Sequence, residues 1–211
     1  MSVLDKLACA LGRRDEVPNQ ELARELVENR DASAIRELVQ NLSNKNVDIQ
    51  NDCIKVLYEI GYIQPDLVAD HVQEFLKIIQ SKNNRLVWGG MLALSTVAKL
   101  RAKDIHANRD LIQKIMCSGS VITVDNGIKT LSLAAAADAD YNRDIFPFLL
   151  EHLQTTRPKD IAQHSESILP AVTAENKPAF IETLTKRMED LSPAQAARVR
   201  NVLREVEMHL G

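Results

Sequence analysis

A period of 37 residues constrains this chain more than anything else in it. Stepping by that interval from Leu38 gives Leu38, Phe75, Ile112 and Leu149. Starting one helical turn later gives Leu42, Ile79, Met116 and Leu153. Further rows hold the same frame: Leu57, Leu94, Leu131 and Ile168, then Ile60, Val97, Ala134 and Ala171. Ile54, Met91, Ile128 and Ser165 run beside a row of small residues, Cys53, Gly90 and Gly127, which His164 interrupts. A shorter fifth unit places Leu184, Met188, Leu203 and Val206 in the matching positions. Each unit thus carries two apolar stripes, spaced three and four apart as on a helix. One helix pair cannot bury such stripes alone. Stacked pairs bury them against their neighbours and make one continuous core.

Local signals point the same way. Ile35, Leu38, Val39 and Leu42 recur at helical spacing, and so do Ile49, Cys53, Leu57 and Ile60. Asp31 is predicted to cap a helix starting at Ala32. Gly61 is predicted to follow a helix, with Pro65 opening the next. Pro158, Pro178 and Pro193 fall near expected first turns, where a missing N–H does no harm. Pro147 and Pro170 fall deeper, predicting a kink or an early end. Aromatics are only 4% and glycines only 7, which suits helix packing better than a sheet sandwich. About eleven or twelve helices are expected. The expected fold is all-α: a right-handed α-α superhelix, or α-solenoid, of about five stacked helix pairs. Residues 1–30 do not fit the frame and are expected to cap the solenoid formed by 31–211. The small-residue row is predicted to let the second helix of each pair approach its partner closely.

The second-helix segments resemble HEAT repeats. That pattern has an apolar residue, often Arg, variable positions, a small residue and Leu four on. Ile49 to Leu57, Leu86 to Leu94 and Thr123 to Leu131 follow it, and the likeness extends over roughly residues 31–208. Gln50, Val87 and Val124 depart from it where Arg is frequent, and the period is short for the class, so an armadillo-like variant also fits. The resemblance implies architecture, with second helices lining a concave face.

Catalytic chemistry is not legible. The five histidines, His71, His106, His152, His164 and His209, show no metal-ligand spacing. HEAT-like metal hydroxylases carry paired His-Glu dipeptides; here Glu151-His152 stands reversed. Gly89-Gly90 reads as a helix packing contact and not as a phosphate loop. Cys9, Cys53 and Cys117 read as free thiols, with Cys53 in the core. No cofactor, metal or small-molecule substrate is expected. The chain carries 26 basic and 29 acidic residues, evenly spread, which argues against non-specific nucleic-acid binding. Leu7-Ala8-Cys9 lacks the apolar run of a secretory leader, since Asp5 and Lys6 precede it. No membrane segment is expected, and the expected location is cytoplasmic.

One cluster suggests a binding site. Trp88 shares its row with Asn51, Asp125 and Ala162, and Leu92 shares the next with Lys55, Lys129 and Glu166. Both rows are predicted to face solvent on the second helices. Trp88 and Leu92 would then anchor a partner, flanked by Lys55, Lys129, Asp52 and Asp125. Alternatively Trp88 leans back over Gly89 or Gly127 and fills space. Arg198, Arg200 and Arg204, interleaved with Glu205 and Glu207, read as a solvated face. The expected function is a protein- or peptide-binding scaffold, not an enzyme. Alternatives are a HEAT-like alkylated-DNA repair protein, echoed by Trp88, Asp125 and Arg85, and an accessory enzyme subunit. Self-association through exposed apolar ends is a fourth.

Overall fold

In the computed structural model, residues 2–209 are described, and they hold twelve α-helices and no strand. The helices are α1 Val17–Glu28, α2 Ala32–Gln40, α3 Val47–Ile63, α4 Val72–Ile78, α5 Asn84–Val97 and α6 Ala102–Ala107. The rest are α7 Arg109–Cys117, α8 Val121–Ala135, α9 Ala139–Thr155, α10 Pro158–Ile168, α11 Lys177–Arg187 and α12 Pro193–His209. They form two layers. In one, α1, α3, α5, α8, α10 and α12 pack in sequence, each on the next. In the other, α2, α4, α6 with α7, α9 and α11 lie against that first layer. Contacts run mainly between neighbouring units, and the molecule is an α-solenoid. The third unit has three helices, α6, α7 and α8, as armadillo units do, while the fourth and fifth have two.

The in-frame rows are the spine between the layers. Leu38, Phe75, Ile112 and Leu149 all have 0% exposure, one from each of α2, α4, α7 and α9. Leu57, Leu94, Leu131 and Ile168 answer them from α3, α5, α8 and α10, also at 0%. In the last unit Leu184 and Val206 are buried, while Met188 and Leu203 are half-buried against the core. Arg187 ties this unit to the fourth. Its guanidinium donates to the Leu153, Gln154 and Thr156 carbonyls at 2.6–2.8 Å, satisfying groups that the end of α9 leaves unpaired.

The small-residue row has the predicted role. A Cβ added at Gly90 would lie 2.9 Å from Ile78 Cγ1, and one at Gly127 would lie 2.5 Å from Met116 Sδ. His164 in that row is buried too, through polar partners described below. Asp31 caps α2 by accepting from the Ala34 N–H at 3.0 Å. Pro158 and Pro193 open α10 and α12, and Pro178 is the second residue of α11. Pro170 ends α10 early: the helix stops at Ile168 and a 3-10 turn, Leu169–Ala171, follows.

Of the two outcomes expected at Pro147 the early end does not occur, and the expectation at Gly61 is corrected. α9 runs through Pro147 to Thr155 without ending. Pro147 is on the exposed side, so the carbonyl it leaves unpaired can be hydrated, while Ile145, Phe146, Leu149 and Leu153 hold both halves in the core. Gly61 does not follow a helix; it lies inside α3. Its missing side chain leaves room for Thr96 of α5, which a Cβ at Gly61 would strike.

The N-terminal residues pack on the first full unit. Leu22, Ala23 and Leu26 of α1 are buried, and α1 lies on α3. Buried Asn19 fixes this contact by donating to Asp52 at 2.8 Å and accepting from the Ala8 N–H at 3.0 Å. None of the described helices is long and apolar enough to cross a membrane.

Candidate functional site

The residues singled out by periodicity lie on α3, α5 and α8, but they do not form one surface. Trp88 is half-buried on α5 and packs against the core. Its ring sits 6.2 Å from Tyr58 of α3, with the Arg85 guanidinium 5.6 Å over it. Leu92, one turn on, is half-buried beside it. Lys129 of α8 is exposed, and its Nζ lies 6.0 Å over the ring of Tyr62. Since α5 lies between α3 and α8, that contact crosses α5.

Tyr58 and Tyr62 complete the cluster. They pack edge to face at 6.1 Å on α3, four residues apart. Tyr58 is buried, whereas Tyr62 is 50% exposed and Ile63 beside it 48%. Burial pushes both phenols above their ordinary pKa. The patch therefore consists of Trp88, Leu92, Tyr62 and Lys129, floored by Tyr58. The tyrosines carried a readable signal: in a chain with 4% aromatics, two at helical spacing belong to one face.

The remaining three residues stand elsewhere. Lys55 was expected as exposed rim but is buried. Its ammonium bonds Glu16 and Glu59, each at 2.7 Å, and lies 4.9 Å over Tyr58. Burial disfavours the charged amine, but the Glu16 and Glu59 carboxylates outweigh it, and the pKa lies above that of an ordinary lysine. Asp52 is occupied with the N-terminal segment, accepting from Asn19 and from the Cys9 N–H at 2.7 Å. Burial, with Asp52 beside it, pushes the Cys9 thiol up to about 11. Burial likewise raises Cys53, a core thiol.

Asp125 leads to a cluster hidden in the sequence. It meets His164 Nε2 at 2.8 Å, and His164 Nδ1 meets His152 Nε2 at 2.9 Å. The two histidines lie twelve residues apart on α9 and α10 and come together where those helices pack. With Asp125 accepting from His164, the His164 Nδ1 lone pair accepts from His152. The facing nitrogens are thus bonded to each other, and this is a hydrogen-bonded line and not a chelate. No set of three metal-ligating side chains occurs among the described residues. The His209 side chain lies outside them.

Burial, then the neighbouring His164, push His152 down to about 4. An unfolded histidine titrates near 6.5, so the unfolded chain binds the extra proton first as pH falls. This contribution to stability is present above about pH 6.5 and is lost toward pH 4. Because His152 is partly exposed, the loss is about 1–2 kcal/mol. Urea unfolding at several pH values should show it in the wild type and a shallower slope for His152→Gln.

No family model matches the chain, and no curated protein matches its sequence. Solved structures do resemble its fold. An engineered protein aligns with a TM-score of 0.63 at 18% identity, covering 99% of this chain and 98% of that one. A designed armadillo repeat protein in complex with the peptide (KR)4 aligns with a TM-score of 0.68 at 14% identity, over 89% of this chain and 86% of that one. Kap121p gives 0.64 at 14% identity, with 89% of this chain matching 20% of that one. At these identities the likeness concerns the fold, which is an armadillo/HEAT-like helical repeat.

Proposed function

We propose that the chain is a scaffold that binds an extended peptide segment of another protein along the outward face of α3, α5 and α8. In HEAT-like solenoids that layer lines the concave side. The observation that carries the reading is the patch of Trp88, Leu92, Tyr62 and Lys129 on three successive helices. A half-exposed aromatic beside apolar and cationic side chains is the composition of an interface anchor. Lys129 serves as polar rim. Lys55, Asp52 and Asp125 act from beneath, holding the helices that carry the patch. Residues 1–30 serve as the cap of the repeat stack.

A nucleic-acid groove is favoured less by the same face. Cations of that helix layer are paired with acids: Lys55 and Arg85 with Glu16, and Arg198 of α12 with Glu166 of α10. Such pairing leaves little positive charge to neutralise successive phosphates. A displayed random-peptide library panned on the wild type should yield binders. Those binders should bind Trp88→Ala about 10- to 30-fold more weakly, the loss expected of a hot-spot residue. Equal affinity for both proteins would remove Trp88 from the interface and with it this reading.

A further inference from the structure

The patch is bordered by an ion cluster of Glu16, Lys55, Glu59 and Arg85. Glu16 occupies the N-cap position of α1, yet its side chain makes no capping bond. Glutamate is a poor choice there, since Ser, Thr, Asp and Asn cap far better. Its carboxylate reaches across α3 instead. One oxygen meets Lys55 Nζ at 2.7 Å and the other meets Arg85 Nη2 at 3.2 Å, sixty-nine residues away. The two cations come from adjacent units and are held ready: Lys55 by Glu59 and the Tyr58 ring, Arg85 by the Trp88 ring. Arg85 Nε is buried without a hydrogen-bond partner. Glu16 is 47% exposed, so it closes a site open to solvent. A cavity of about 510 Å³ lies alongside, where Arg13, Arg14 and Arg85 face the carboxylates of Asp15, Asp48 and Asp52.

We propose that Lys55 and Arg85 form a carboxylate-recognition site in the peptide groove, that Glu16 fills it from within the chain, and that a glutamate or aspartate of a bound peptide takes its place. This rests on the peptide-binding reading above and adds the ligand's chemistry and a competing internal ligand. The geometry suits a carboxylate in particular. Its two oxygens bridge two cations that Glu59 neutralises only in part, and a single amide oxygen cannot reproduce that bridge. Removing the Glu16 charge leaves the cations in place with one fewer partner. A carboxylate arriving from outside then no longer competes with one of high local concentration.

The test uses the full chain and two probes, acetyl-(Glu-Ala)4-amide and acetyl-(Gln-Ala)4-amide. Trp88 is the sole tryptophan and lies under Arg85, so its fluorescence reports occupancy directly. Glu16→Gln should bind the glutamate peptide at least tenfold more tightly than the wild type, with no gain for the glutamine peptide. Adding Arg85→Gln to that variant should abolish the gain. Glu16→Asp, whose shorter arm cannot span both cations, should give an intermediate gain. It also serves if Glu16→Gln folds poorly by circular dichroism. A folded Glu16→Gln or Glu16→Asp protein with unchanged affinity would overturn the proposal and make Glu16 a structural brace. So would a gain independent of Arg85 or shared by the glutamine peptide. If library-selected peptides still depend on Trp88 while Glu16→Gln changes nothing, the groove reading stands and only the carboxylate site falls.

Discussion

Truncating Phe75 to alanine is expected to lower stability by about 3–5 kcal/mol, one of the largest effects of any single substitution in the chain. Phe75 is fully buried, and α4, which carries it, is only seven residues long. So short a helix has little stability of its own and depends on packing. Only Val72, Leu76 and Ile78 share its burial, so a cavity there cannot be closed by repacking within the helix. Thermal melts should show a midpoint lower by roughly 10 °C, given about 2–4 °C per kcal/mol for a chain of this size. Leu100→Ala is the control: that side chain is 55% exposed, and the change should stay within about 0.5 kcal/mol. A Phe75→Ala protein as stable as Leu100→Ala would mean that the row is not a shared spine.

The second large effect contrasts two glycines of one row. Gly90→Val is expected to cost about 3 kcal/mol, at the upper end for overpacking. The new Cβ would stand 2.9 Å from Ile78 Cγ1 and 3.0 Å from Ile79 Cγ2. Isoleucine is stiff at its first torsion, so neither side chain can step aside cheaply. Gly127→Val meets a nearer obstacle, 2.5 Å from Met116 Sδ and 2.6 Å from Cγ. Methionine has three soft torsions and yields, so this substitution should cost only about 1 kcal/mol. Chemical denaturation of both variants measures the order. The reverse order would mean that nearness, and not the stiffness of the neighbour, governs the crossing.

What the sequence made legible follows from what its period encodes. A solenoid repeats its buried contacts, so Leu38, Phe75, Ile112 and Leu149 announce themselves by spacing alone. Pro147 was harder, because proline's cost depends on which side of the helix it faces, and that is set by Ile145 and Leu149 docking around it. Gly61 misled for a similar reason: glycine at a helix end and glycine under a crossing helix look alike until Thr96 is placed. Of the patch, Trp88, Leu92 and Lys129 could be found by frame, and Tyr62 by its spacing from Tyr58. Lys55 could not be read correctly, because its partner Glu16 belongs to the segment outside the repeat frame. The Asp125–His164–His152 line was invisible for a different reason. Its members belong to three helices, so no linear spacing marks it.

Stacking between neighbouring units holds the solenoid together, and double-mutant cycles measure it directly. Leu57→Ala and Leu94→Ala lie in adjacent, packed helices of the first layer; Ile168→Ala lies three units from Leu57. The adjacent pair should deviate from additivity by about 0.5–3 kcal/mol, while the distant pair should add to within about 0.5 kcal/mol. Strong coupling between Leu57 and Ile168, or none between Leu57 and Leu94, would contradict neighbour-to-neighbour stacking.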